Sequence, residues 1–106
     1  MSEVLLVITT LPDRATAERI AAALVTARVA ACVNVLAECT SVYRWQGKIE
    51  RAAEVPMLIK TTRAAYARLE ETLRSMHPYD VPEIVAMPVT AGLPSYLDWV
   101  SQETKE

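Results

Sequence analysis

The stretch Thr40–Thr62, TSVYRWQGKIERAAEVPMLIKTT, decides how this chain folds. Its first arm, Thr40 to Trp45, is rich in β-branched and aromatic residues, which suit a pleated surface. Gln46-Gly47 then supplies a two-residue turn, with a glycine free to take the positive φ that tight hairpin turns need. From Lys48 onward no strong breaker appears until helix-like sequence resumes after Thr62. The second arm is therefore well beyond the usual strand of about five or six residues. A small domain cannot cover so long a strand alone, so the hairpin is expected to point toward other copies of the chain.

The size of the chain, 106 residues, allows one domain spanning 1–106 with a single core. Net charge is −2 with acids and bases interspersed and no basic run, which argues against a nucleic-acid surface. The N-terminal MSEVLLVITT has a glutamate before a short apolar run, unlike a secretory signal. No segment approaches the length of a membrane span, so neither membrane nor nucleic acid is expected as a partner, and the cytoplasm is the expected location. Cys32 and Cys39 fit a reducing compartment and lack the close spacing of a structural zinc or redox pair.

Around the hairpin, the remaining elements follow from apolar pattern. Glu3 to Thr10 reads as a strand with a continuous run, Val4 to Ile8, that predicts burial on both faces. Asp13 is placed to cap a helix from Ala15 to about Arg28. Ala30 to Leu36 reads as a second strand. Thr61 or Thr62 begins a helix over Arg63–Met76, with Tyr66, Leu69, Leu73 and Met76 on its buried stripe and Glu70 and Arg74 paired outside. His77 to Pro82 is a connection stiffened by two prolines. Glu83 to Val89 is a strand, apolar on both faces, whose Pro88 places its end at an edge or bulge. Ser95 to about Glu103 is a terminal helix.

This order is β-α-β-β-α-β with a C-terminal helix. The expected class is α+β, a ferredoxin-like antiparallel sheet with a long central hairpin. Two crossover helices cover one face of such a sheet. The other face, also apolar here, needs cover that one short helix cannot give. A closed homo-oligomer supplies it and hides the hairpin edges.

Candidate chemical residues are few. His77, the single histidine, is either a metal ligand or proton carrier or a cap on a helix C-terminus. Cys39 is the more accessible thiol and a candidate soft ligand, whereas Cys32 belongs in the core. Tyr43 and Trp45 share a face of the hairpin and serve as interface anchors or line a ligand cleft. Strand charges such as Arg44, Glu50, Glu54 and Glu83 mostly face solvent, but Lys60, after Met57-Leu58-Ile59, calls for a partner, with Glu83 the plausible carboxylate. No catalytic residues are assigned, because no nucleophile–base set, phosphate loop or paired-carboxylate motif is present, and a non-enzyme is expected.

The segments ACVNVL (31–36), TSVYRWQGKIE (40–50), LIKTT (58–62), HPYDVPEIVAMPV (77–89) and YLDWV (96–100) resemble the CutA divalent-cation tolerance family, from about Val4 to Val100. The resemblance implies a ferredoxin-like subunit, a stable homotrimer, a cytoplasmic location in bacteria and an association with copper tolerance, copper being the one metal it suggests. Proposed copper ligands in that family include a cysteine after the first strand and two adjacent histidines. Here Thr9 and Met76 stand at the first two of those positions and His77 at the third. The expectation is therefore weak copper binding through His77, with Met76 or a cysteine of a neighbouring copy such as Cys39 as a further ligand. The alternative is a trimeric small-ligand sensor of the nitrogen-regulatory kind, with Arg44, Lys60, Tyr79 and Glu83 lining a cleft between subunits.

Overall fold

The computed structural model describes residues 3–106. Its elements are β1 (Val4–Leu11), α1 (Arg14–Thr26), β2 (Cys32–Val35), β3 (Cys39–Trp45), β4 (Lys48–Thr62), α2 (Arg63–Met76), β5 (Val85–Pro88) and α3 (Pro94–Glu103). The strands form one antiparallel sheet in the order β2-β4-β1-β5, with β3 paired to β4 beyond it. This is the ferredoxin-like arrangement expected, with the first arm of the hairpin as an added strand.

The 15-residue β4 is the spine of the molecule. A strand of that length is comparable to the longest dimension of the molecule, 44 Å. Its C-terminal half, from Val55, pairs with β1 on one side and β2 on the other, while Lys48–Glu54 pairs only with β3. The outer half is thus a two-stranded arm leaving the body. Its turn has positive φ at both central residues, 50° at Gln46 and 79° at Gly47, as a type I′ turn requires.

Both long helices begin on side-chain caps. Asp13 accepts from the Thr16 amide at 2.8 Å and Thr62 from the Ala65 amide at 3.2 Å. The helix α1 stops at Thr26, two residues short of the expected end, because Arg28 takes the left-handed conformation at φ 59°. That turn lets Arg28 donate to the Gln102 and Lys105 carbonyls and tie down the end of α3. The expected Glu70–Arg74 pair does not form; Glu70 accepts instead from the Tyr66 hydroxyl at 3.0 Å. Leu69 and Leu73 are fully buried and Tyr66 and Met76 partly so.

The helices α1 and α2 cover one face of the sheet, while α3 packs through Val100 on Val4 at one end of the other. On the first face Val7, Leu11, Val55, Met57 and Ile59 pack against Ala17, Ile20, Leu24, Leu69 and Leu73. Period-two alternation sends the neighbouring residues to the other face. There Leu6, Ile8, Pro56 and Leu58 are half-buried, and Val85 and Met87, opposite Ile8 and Leu6, are exposed. The two-faced apolar pattern of β1 and of the C-terminal half of β4 is thus real, and a single chain buries only one side of it, while β5 is exposed along its whole length. The edge strand β5 is shorter than expected, and Pro88 sits at its end.

Candidate functional site

A connected polar cluster lies where the arm leaves the body. Thr10 comes from the end of β1, Glu54 from the point in β4 where pairing passes from β1 to β3, and His77 from the C-terminus of α2. The His77 amide donates to the Leu73 carbonyl at 2.9 Å, so the residue does cap its helix. Pro78 then turns the chain so that Tyr79 folds back beside the imidazole, with ring centroids 4.9 Å apart.

Hydrogen bonds fix the roles of the ring nitrogens. The Tyr79 amide can only donate, so His77 Nδ1 accepts from it at 3.2 Å and carries no proton. Nε2 then bears the proton and donates to the Thr10 carbonyl at 2.9 Å. Burial holds the His77 pKa below its ordinary value, overcoming the opposing pull of the Thr10 bond and of Glu54. The neutral ring ties α2 to the end of β1. Metal binding at either nitrogen would have to break one of these two bonds.

Tyr79 reaches past the imidazole to Glu54. Its hydroxyl donates to Oε2 at 2.8 Å, and Thr10 Oγ1 donates to the same oxygen at 3.3 Å. Burial, followed by the bond to Glu54 and its charge, raises the Tyr79 pKa well above the phenol range, with smaller pushes from Tyr43 and Asp13. Glu54 itself is only 7 % exposed, contrary to the solvent-facing position expected of it. The one local signal in the sequence was its place at the head of the apolar run Val55–Ile59.

The other expected residues are distributed as follows. Cys39 is exposed and pairs across strands with Glu54, and its thiol lies within sulfur hydrogen-bond reach of the Ser41 hydroxyl, not of His77. Among the described residues no group of three or more His, Cys, Asp or Glu side chains is placed to hold a metal ion. Tyr43 and Trp45 are exposed on the arm, each at 43 %. Lys60 finds Asn34 Oδ1 and, at 3.9 Å, Cys32 Sγ across β2, so its partner is not Glu83. Cys32 is accordingly half-buried beside this lysine instead of in the core. Arg44 faces Ile49 on the arm, eleven residues along β4 from Lys60. At about 3.3 Å per residue that is roughly 36 Å, so one chain cannot place both in one cleft.

Comparison with known proteins adds the family. The sequence profile of the CutA1 divalent ion tolerance protein matches residues 5–103. The chain is similar to the divalent-cation tolerance protein CutA of Thermus thermophilus, 47 % identical over 104 residues covering 98 % of this chain and 99 % of the relative. Among solved structures, CutA from Xylella fastidiosa superposes with a TM-score of 0.95 at 44 % identity, covering 98 % of this chain and 100 % of that one. The Archaeoglobus fulgidus protein, described as a periplasmic divalent cation tolerance protein CutA, superposes at 0.92 with 36 % identity, covering 96 % and 99 %.

Proposed function

The chain belongs to the CutA1 divalent ion tolerance family, and on that premise we propose that it serves divalent-cation tolerance as a non-enzymatic homotrimer that binds copper weakly. The observation that carries the assembly is the sheet face left half-covered. Leu6, Ile8, Pro56 and Leu58 line it, Val85 and Met87 extend it, and Tyr43 and Trp45 stand exposed on the arm beside it. At about 25 cal/mol per Å² of apolar surface, covering that face with further copies is a large stabilisation. Two-stranded arms reaching out of the body suit a ring, in which each edge finds a neighbour.

Weak copper binding follows from the donors. His77 must give up the Tyr79 amide or the Thr10 carbonyl to ligate a metal, and Thr9 and Met76 are poor partners for Cu(II). Extra ligands such as Cys39 come from a neighbouring copy in this reading. Among the described residues no helix is long and apolar enough to cross a membrane. The compartment we propose is the cytoplasm, although a relative of the same fold is described as periplasmic.

Calorimetric titration of metal-free protein with Cu(II), Cu(I) and Zn(II), run beside His77→Ala, tests the metal reading. Micromolar or weaker binding that the substitution abolishes supports it. Equal binding by both proteins removes His77 as a ligand. The rival reading, a sensor of small ligands, places Arg44, Lys60, Tyr79 and Glu83 in a cleft that only several copies together could form. A small molecule retained through purification and seen by native mass spectrometry would favour it.

A further inference from the structure

The Glu54 carboxylate lacks a cation. It is 7 % exposed, and among the described residues its hydrogen-bond donors are two neutral hydroxyls, both on Oε2. None of the ion pairs among the described residues involves it. A buried carboxylate without a positive partner is unfavourable, so the carboxylate is set up to receive one.

The far end of the arm shows the opposite imbalance. Arg44, Lys48 and Arg51 are exposed and make no ion pair among the described residues. None of them serves Glu54 of its own chain. Arg44 pairs with Ile49 and Lys48 adjoins the turn, five and six residues along β4, or roughly 17–20 Å at about 3.3 Å per residue. Arg51, an odd number of residues away, projects from the opposite face of the strand.

From this complementarity, and resting on the assembly proposed above, we infer that Glu54 receives the Arg44 guanidinium of a neighbouring copy, arm tip against arm root. Arginine suits the place better than Lys48, since its planar fork matches a carboxylate and is less strongly hydrated. Tyr43 and Trp45 stand exposed on the face of the arm opposite Arg44, so both faces of the tip carry side chains suited to an interface. Tip and root are different surfaces, so the contact runs head to tail, and in the closed trimer proposed above it repeats around the ring. Tyr79 and Thr10 take Oε2 and leave Oε1 to the incoming cation.

Subunit exchange between isotope-labelled and unlabelled full-length chains, followed by native mass spectrometry, tests the pairing. Glu54→Gln and Arg44→Gln are each expected to speed exchange tenfold or more. The double variant should exchange no faster than the faster single one, and Lys48→Gln should match wild type. Rates that multiply in the double variant, or Arg44→Gln exchanging at the wild-type rate, overturn the pairing while leaving the assembly standing. A wild type that stays monomeric overturns the assembly and this inference with it. Arg44 lies on the exposed arm, so its variant alone decides the matter if Glu54→Gln fails to fold.

Discussion

The Tyr79 amide donates to Nδ1 of His77, and that one bond decides which ring nitrogen carries the proton. It also fixes the direction of a pH effect. The folded-state pKa of His77 lies below the ordinary 6.5, chiefly because the ring is buried. The unfolded chain therefore binds the proton more readily. The stabilisation is complete above pH 6.5 and is lost as pH falls through the lower folded value. Guanidinium unfolding midpoints measured from pH 8 down to 5 should fall for wild type, and His77→Gln should show a flatter profile over that window.

Glu54 depends on Tyr79 in turn. Tyr79→Phe leaves the buried carboxylate with only the longer bond from Thr10. Hydrogen bonds to charged groups contribute about 1.5–3 kcal/mol, and a loss in that range is expected in equilibrium unfolding. Phenylalanine preserves the ring packing on His77, so an unchanged stability would mean that the hydroxyl contributes nothing.

At the arm's turn the demand is on the backbone alone. A Cβ at Gly47 would meet no atom within 4 Å, yet its φ of 79° is one that side-chain-bearing residues rarely adopt. Gly47→Val should therefore destabilise by about 1–2 kcal/mol through strain and not through crowding. A thermal melt of the variant that overlays wild type would contradict this.

The parts of the fold legible in the sequence were those set by local pattern. The run from Lys48 to Thr62 is one strand despite Pro56, and Thr62 and Met76 bound α2 as the cap and the apolar stripe indicate. The early end of α1 was hidden because an arginine, not a glycine, takes the left-handed turn. Lys60 meets Asn34 because β2, and not the strand near Glu83, lies beside β4, a fact of sheet order that no residue announces. The burial of Glu54 arises when a loop 25 residues later folds Tyr79 over it. His77 was visible as a candidate from its rarity, but its engagement with Thr10 spans 67 residues and belongs to tertiary structure.

The central claim is that the open sheet face and the projecting arm make this chain assemble with itself. Sedimentation equilibrium of the untagged protein at sub-micromolar concentration tests it most directly. The predicted result is a single species of three times the 11.7 kDa chain mass. A folded 11.7 kDa monomer, stable with that face open to water, would contradict it.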